Sequence, residues 1–348
     1  MRILYILCFF LRSGLCSEDE KPNIIFVMSD DVGFADVSFT ERIFESKNSI
    51  RTPNLDKLSR RGTIFAQHYS HSTCTPSRAS FLTGRYAGNT GLNFAMLPGS
   101  VAGIPKGMAT LPNILRREGS YRAHQVGKHH VGHAQWRQTP VGLGFESHVG
   151  SLLWSMEYFR KGLWELPWDH FSLDWIRAFE NGTYHHYAEP RHTTEALTDE
   201  AVEVMRRHVF EEQQQSTESR PLFLYVAYVY ILFEHLCHLN CVTRTSHRYT
   251  AAHAPLESLK TDLEKCDHFT HSRRRHFCGL MVGLDRNVDR LAKESERILG
   301  RNTLFIFSSD NGGATFFGGL NAPLRSGKTM PFEGGTFSGD FVSTTLEL

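Results

Sequence analysis

The stretch P-N-I-I-F-V-M-S-D-D, residues 22–31, predicts a buried β-strand that ends in two acidic residues. Its apolar residues follow one another without alternation, which is typical of a strand covered on both faces. Asp30 and Asp31 stand at its carboxyl end, the edge at which open α/β sheets bind ligands. Adjacent carboxylates repel each other unless a cation lies between them, so the pair indicates a metal site, with a solvated turn as the alternative.

A second set of oxygen ligands follows another predicted strand. The run T-L-F-I-F-S at residues 303–308 leads to Asp310, Asn311 and two glycines, which let the backbone turn closely around an ion. A tight turn alone would also explain these residues. Together with Asp30 and Asp31 they favour one all-oxygen site, which suits Ca²⁺ or Mg²⁺ better than zinc.

Other periodic segments surround these strands. Further buried strands are predicted at residues 121–126 and 221–228. Helices are predicted at residues 52–61, 111–118, 195–207 and 272–298. At 348 residues the chain is long enough for one large domain or two ordinary ones.

The stretch H-S-T-C-T-P-S-R-A-S-F-L-T-G-R, residues 71–85, predicts a helix that begins at Cys74, because Pro76 suits a first helical turn. Free backbone N–H groups and the helix dipole favour an anion or an activated nucleophile there. Arg78 lies one turn further on and returns to the face of Cys74, where its guanidinium could meet a tetrahedral oxyanion. The simpler alternative is a buried structural cysteine.

Two lysines and a histidine are candidates for anion binding or proton transfer. Lys128 and His130 follow a predicted strand, and in an extended chain they project to the same side. His129 lies between them, so either histidine could be functional, and position favours His130. Lys328 ends the run P-L-R-S-G-K, where a lysine is by default solvent-exposed.

Charge and the N-terminal residues indicate the compartment. A net charge of +1 gives no reason to expect bulk nucleic-acid binding. Residues 1–17 combine Arg2 with a short apolar run and small residues, which predicts a secretory signal peptide and no stable membrane anchor. In the secretory pathway Asn181, in the triplet N-G-T, becomes an acceptor for glycosylation.

Cysteines and two biased segments leave alternatives open. If the leader is removed and Cys74 has a chemical role, four cysteines remain, and they allow two disulfides with three connectivities: Cys237, Cys241, Cys266 and Cys278. A zinc site is the weaker alternative. The aromatic segment 150–192 either frames a pocket with long loops or forms core. The basic run 273–275 is interpreted as the solvated first turns of a helix, with a contact to sulfated polysaccharide as the alternative.

Six blocks of the chain resemble the type I sulfatases, and the chain looks most like the arylsulfatase B-like enzymes. The blocks are the strand before Asp30 and Asp31, T-P-N-L-D at 52–56, C-x-P-S-R with L-T-G at 74–84, G-K-x-H at 127–130, H-x-P-L at 253–256, and the block ending in Lys328. The resemblance implies an α/β, alkaline-phosphatase-like three-layer sandwich with a large, mostly parallel central sheet. It also implies that a formylglycine-generating enzyme oxidises Cys74 to formylglycine.

The resemblance assigns roles to individual residues. The implied metal ligands are Asp30, Asp31, the modified Cys74, Asp310 and Asn311, around Ca²⁺ with Mg²⁺ as the alternative. The implied catalytic residues are Cys74, Arg78, Lys128, His130, His253 and Lys328. In this scheme Arg78 supports the formylglycine hydrate, and Lys128 and Lys328 bind sulfate. His253 or Lys328 protonates the leaving oxygen, and His130 takes a proton from the hydrate.

The implied activity is hydrolysis of sulfate esters, with N-acetylgalactosamine 4-sulfate of glycosaminoglycans as the expected substrate. The expected location is the lysosome or the extracellular space. A formylglycine-dependent phosphodiesterase or phosphonate hydrolase of the same fold is one alternative. An inactive, truncated secreted product is another.

Two segments depart from the family pattern. Residues 230–250 lie between matching blocks and are interpreted as an insertion, either a lineage-specific loop or a translated intron. The residues after Gly335 do not continue the pattern. We therefore expect a catalytic domain at 22–335, a divergent tail at 336–348 and a missing C-terminal subdomain.

Overall fold

The computed structural model describes residues 21–43, 50–153, 157–165, 170–214, 219–229 and 257–344. The strands are β1 (Asn23–Ser29), β2 (Gly62–Phe65), β3 (Arg122–Gly127), β4 (Ser147–Gly150), β5 (Gly162–Glu165), β6 (His170–Leu173), β7 (Ile176–Phe179), β8 (Tyr184–His186), β9 (Leu222–Ala227), β10 (Thr303–Ser309) and β11 (Asp340–Thr344). The helices span Pro53–Arg60, Cys74–Thr83, Ala87–Thr90, Leu111–Gly119, Thr193–Gln214, Lys260–Leu263, Ser272–Leu299 and Glu333–Thr336. The predicted leader, the predicted insertion, Cys237, Cys241 and His253 lie outside the described residues.

One sheet of nine strands organises the described part of the chain. Its order is β2-β11-β10-β1-β9-β3-β4-β7-β8. The five central strands from β10 to β4 run parallel, whereas the strands outside them pair antiparallel. The carboxyl ends of β1, β3, β9 and β10 therefore meet at one edge, as the α/β prediction requires.

Helices cover both faces of this sheet. Side chains alternate between the faces along a strand, so Ile25 and Phe26 of β1 enter different cores. Ile25 packs in the core that the two longest helices cover. Phe26 packs in the core formed with the helices that begin at Cys74 and Leu111. The continuous apolar run of β1 is thus explained by burial on both faces, which gives three layers.

Two alternatives left open by the sequence are resolved for the described residues. Cys266 and Cys278 form a disulfide, and Cys74 is a free, buried cysteine. Trp175 is fully buried, so this part of the aromatic segment is core. None of the helices in the described ranges is long and apolar enough to cross a membrane.

Arg274 and the end of the chain differ from simple expectation. The interpretation of the basic run as solvated turns is wrong for Arg274, which is 7% exposed. Its guanidinium binds Asp36 and donates a hydrogen bond of 2.6 Å to the carbonyl of Gly318, because the helix start packs against these loops.

Residues 340–344 of the predicted tail form β11, which is hydrogen-bonded between β10 and β2.

The long helix Ser272–Leu299 also anchors the short helix Pro53–Arg60. Asp285 is buried, and its Oδ1 accepts hydrogen bonds from the backbone N–H groups of Leu55 at 2.8 Å and Asn54 at 3.1 Å. The Nδ2 of Asn54 donates to Oδ2 at 2.7 Å. The carboxylate thus satisfies N–H groups that a helix start leaves without intrahelical partners.

We expect Asp285→Ala to lower the free energy of unfolding by about 1 to 3 kcal/mol, because buried N–H donors would lose their acceptor. Urea unfolding followed by circular dichroism measures the change. Glu203→Ala is the control, since Glu203 is 59% exposed and forms only a 3.9 Å ion pair with Arg206. A loss no larger than that of the control would contradict the proposed anchor.

Candidate active site

The register of β1 and β10 brings the two predicted acidic motifs together. Ser29 pairs with Ser309, so the residues that follow them, Asp30 and Asp310, emerge side by side. The backbone N–H of Asp310 donates to the carbonyl of Ser29 at 3.0 Å. The backbone N–H of Asp31 donates to Oδ1 of Asp310 at 3.2 Å. Residues 279 positions apart in sequence therefore share one site.

Cys74 lies beside these carboxylates. Its helix begins at Cys74 with Pro76 in the first turn, as predicted. The Sγ atom lies 3.6 Å from Oδ1 of Asp30 and 3.3 Å from Nζ of Lys328. Burial raises the pKa of the Cys74 thiol to about 12, although Lys128 and Lys328 act in the opposite direction. The unmodified thiol is therefore protonated at neutral pH and is not activated as a thiolate.

Four side chains form a group that could hold a metal ion. One ligand atom from each of Asp30, Asp31, Cys74 and Asp310 lies within 4.8 Å of the others, and all four residues are buried. Burial and the charge of Asp30 raise the pKa of Asp310 to about 7. A cation would offset this repulsion.

Asn311 adds an oxygen that lacks a partner. Its Nδ2 donates to Oδ1 of Asp31 at 2.7 Å and to the carbonyl of Gly312 at 2.9 Å. Its Oδ1 is buried and has no hydrogen-bond partner among the described residues. Buried polar atoms are rarely left unsatisfied, and a coordinated cation would satisfy this one. The donor set, rich in hard oxygen ligands, thus fits Ca²⁺ or Mg²⁺.

Two lysines balance the carboxylates. Nζ of Lys128 lies 2.8 Å from Oδ2 and 2.9 Å from Oδ1 of Asp30. Nζ of Lys328 lies 2.6 Å from Oδ2 of Asp31. The default expectation of a solvent-exposed Lys328 is wrong, since its side chain is 8% exposed. Burial alone would raise the pKa of Asp30, but Lys128 and Arg78 outweigh it and hold the pKa far below its usual range.

Arg78 holds the two carboxylate strands in place. Its Nε donates to Oδ2 of Asp310 at 2.9 Å, and its Nη2 lies 3.6 Å from Oδ1 of Asp30. Its Nη1 donates to the carbonyl of Lys128 at 3.1 Å and approaches the hydroxyl of Tyr225 at 3.4 Å. Sequence reasoning missed Tyr225, whose only signal is one hydroxyl in an otherwise apolar strand.

His130 lies close enough to the charged groups of this site for Lys128, Arg78 and Asp30 to affect its pKa. Its Nε2 donates to the carbonyl of Met96 at 2.9 Å, so in the neutral ring Nδ1 carries the lone pair. Nδ1 is buried without a hydrogen-bond partner in the described part of the chain. Burial and the nearby charge of Lys128 hold the pKa of His130 well below its usual value. The neutral ring therefore offers a free acceptor nitrogen, although its lowered pKa makes it a weaker base than an ordinary histidine.

His129 has a different environment. Its Nε2 donates to the carbonyl of Gln138 at 2.7 Å, and its ring packs near His148. The argument from an extended segment was wrong, because His130 has a φ of 56° in the left-handed region. The rings of His129 and His130 therefore bond to different carbonyls, those of Gln138 and Met96.

The chain belongs to the sulfatase family, whose model matches residues 22–338. This result confirms the resemblance to the type I sulfatases that was drawn from the motifs.

Two curated proteins and one solved structure show how similar the chain is to known proteins. The chain is 31% identical over 335 residues to arylsulfatase J of Mus musculus, covering 94% of this chain and 48% of that protein. It is 28% identical over 334 residues to N-acetylgalactosamine-6-sulfatase of Mus musculus, covering 91% and 56%. The chain thus spans about half the length of the curated relatives it matches. The crystal structure of Ps i-CgsB is similar with a TM-score of 0.75 and 28% identity, over 93% of this chain and 66% of that chain, and the predicted three-layer fold is confirmed.

We expect Asn311→Ala to weaken Ca²⁺ binding at least tenfold, about 1.4 kcal/mol, because the orphaned amide oxygen would be lost. Asn311→Asp keeps an oxygen at the same position and should retain affinity. Isothermal titration calorimetry measures both. Asn287→Ala is the matched control, since Asn287 is a buried amide on the long helix that donates to Glu195 at 3.0 Å. Equal affinity of Asn311→Ala and wild type would remove Asn311 from the ligand set.

Proposed function

We propose that this protein hydrolyses sulfate esters at the buried site around Cys74. The observation that carries the proposal is the position of Cys74, which contacts both a carboxylate, Asp30, and a lysine, Lys328. A reacting group there would lie between a cation site and a cationic anion-binding site. Sulfate transfer needs this combination, because positive charge must surround an anionic sulfur centre.

Charge balance supports an anionic substrate. Three carboxylates and three basic side chains share the site, so their formal charges cancel: Asp30, Asp31 and Asp310 against Arg78, Lys128 and Lys328. A divalent cation held by Asp30, Asp31, Asp310, Asn311 and residue 74 would leave the site at +2. That charge suits a sulfate ester, which carries −1. The bound cation would also polarise a sulfate oxygen.

The second implied group is formylglycine at position 74. Hydrated, this aldehyde supplies one hydroxyl for attack on sulfur and a second whose deprotonation expels sulfate. The environment is compatible with such a group, because burial raises the pKa of the Cys74 thiol to about 12 and so disfavours a thiolate nucleophile. Arg78 holds Asp310 and Asp30 beside it.

His130 and Lys328 have distinct tasks in this proposal. His130 accepts a proton at Nδ1, since Nε2 is committed to the carbonyl of Met96. Burial alone would lower the pKa of Lys328, but Asp31 outweighs it and keeps the pKa well above its usual value. Lys328 therefore remains a cation that binds sulfate with Lys128. This favours His253, of the two predicted donors, for protonation of the leaving oxygen.

The proposal extends to substrate and route. Sulfated N-acetylgalactosamine in glycosaminoglycans is the proposed substrate, with the 4-sulfate favoured by the arylsulfatase B-like motifs. The similarity to N-acetylgalactosamine-6-sulfatase makes the 6-sulfate the competing position. We further infer passage through the secretory pathway to the lysosome or the cell exterior, with modification by a formylglycine-generating enzyme. Asn181 lies on an exposed turn where a glycan could be attached.

The first test is chemical. Protein secreted from cells that contain a formylglycine-generating enzyme should show the Cys74 peptide at the mass of formylglycine and should hydrolyse an aryl sulfate. Cys74→Ala should lose at least about 10³-fold in kcat, since it removes the nucleophile. Faster hydrolysis of an aryl phosphodiester would support the phosphodiesterase alternative. An unmodified thiol without turnover would support the inactive product. Disaccharides sulfated at position 4 or 6 then decide the substrate.

Lys328→Met should change cation and anion binding in opposite directions. Sulfate binding should weaken about tenfold or more, because one of the two lysines proposed to bind the anion loses its charge. That charge lies 2.6 Å from Asp31. The same change should tighten Ca²⁺ binding about fivefold or more, because the lysine competes with the cation for this carboxylate. Calorimetric titrations with each ion measure both effects. Lys293→Met, at a lysine that is 62% exposed, is the control. Weaker Ca²⁺ binding would contradict the competition.

A further inference from the structure

Asn321 connects two loops of the site through one buried amide. Its Oδ1 accepts a hydrogen bond from the backbone N–H of Gly313 at 2.8 Å. Its Nδ2 donates to the carbonyl of Gly313 and to the carbonyl of Ser326, both at 3.0 Å. The residue is 3% exposed. All three contacts are to backbone, so the amide acts on loop positions and does not recognise a side chain.

Both loops carry groups of the proposed site. Gly313 closes the turn that begins with Asp310 and Asn311. Ser326 lies two residues before Lys328, and the backbone N–H of Lys328 itself donates to the carbonyl of Gly313 at 3.1 Å. The peptide at Gly313 is therefore shared between the Asn321 amide and the lysine backbone. A shift of Asn321 would be transmitted to the carboxylate turn and to Lys328.

The lysine loop needs such support because its backbone is strained. Ser326 has a φ of 72° and Thr329 has a φ of 75°, so non-glycine residues in the left-handed region flank Lys328. Strained conformations of this kind persist only where contacts with the surrounding structure hold them in place. The hydrogen bond from Asn321 to the Ser326 carbonyl supplies one of these constraints. Without it, Ser326 would relax and displace Lys328.

Asn321 is itself held firmly. The backbone N–H of Leu320 donates to Oδ2 of Asp36 at 3.0 Å, and the backbone N–H of Ala35 donates to the carbonyl of Leu320 at 3.0 Å. Arg274 binds Asp36 from the start of the long helix. These contacts fix the segment on which Asn321 lies, so its amide is a rigid reference point for the lysine loop.

Close backbone approach on two sides confirms how tightly the amide is enclosed. A Cβ atom at Gly33 would lie 2.6 Å from Oδ1 of Asn321, and a Cβ atom at Gly327 would lie 2.8 Å from its Nδ2. Only glycine fits at these distances. Gly33 belongs to the loop that carries Asp31, so a third segment of the site abuts the same amide.

We propose that Asn321 is a positioning residue that sets the ammonium group of Lys328 against the sulfate-binding side of the site. The inference rests on the proposed function, in which Lys328 binds sulfate. Asn321 touches no substrate in this role and acts through the backbone of residues 326–328 and of Gly313. A merely structural residue at this position would affect stability without a specific effect on Lys328.

A double-mutant cycle tests this role with the full-length secreted protein. Sulfate affinity is measured for wild type, Asn321→Ala, Lys328→Met and the double variant, by thermal shift at saturating Ca²⁺ and constant ionic strength. We expect Asn321→Ala to weaken sulfate binding about tenfold in the wild-type background and less than twofold in the Lys328→Met background. Asn287→Ala, which removes another buried amide with two acceptors, should leave sulfate affinity unchanged.

The outcomes separate this inference from the proposed function. An equal effect of Asn321→Ala in both backgrounds, or no effect in either, would overturn the positioning role. Aryl sulfate turnover is measured separately on wild type, so loss of the proposed function would leave the cycle interpretable. Coupling in the cycle together with no aryl sulfate turnover would support the positioning role of Asn321 and reject the proposed hydrolase activity.

Discussion

Three buried carboxylates and three buried basic groups meet at one edge of the sheet, and the site depends on their mutual neutralisation. A single buried charge is costly to keep away from water, whereas a closely packed set of opposite charges offsets that cost. The parallel pairing of β1 with β10 places Asp30 beside Asp310. Arg78 enters from its helix to bind Asp310, and Lys128 and Lys328 bind Asp30 and Asp31. Fold and electrostatics are therefore inseparable here.

This balance explains the state of the neighbouring groups. Burial keeps the Cys74 thiol protonated in spite of two nearby lysines, so helix dipole and cations do not activate it. The same burial keeps His130 neutral with one acceptor nitrogen. Groups held in this way need little reorganisation when charge develops on a bound substrate, which is the main electrostatic advantage of a buried, preorganised site. Hydrogen bonds from Gly313 to Asn321 and from Leu320 to Asp36 hold the loops next to these groups.

The sequence predicted four of the five central strands, all except β4, and where the acidic motifs fall, because apolar runs and strand ends are local features. It also predicted the helix start at Cys74. The default exposure of Lys328 and the interpretation of Arg274 as part of solvated turns were wrong, since the usual exposure of a residue type describes an average environment. In this fold each of these two cations has a buried carboxylate partner from a distant segment. Asn321 could not be recognised from local pattern, because its role consists of contacts to backbone.

By itself, the sequence determined four of the five central strands and the main helices, the chemical types at the strand ends and the family to which the motifs point. Only the tertiary structure decided which charges pair, which histidine nitrogen remains an acceptor and which loops share a hydrogen bond. The physical reason is that spacing along the chain specifies local conformation, whereas the pKa and partner of a buried group depend on atoms brought near it by sheet register. Asp31 and Lys328, separated by 297 residues, illustrate this dependence.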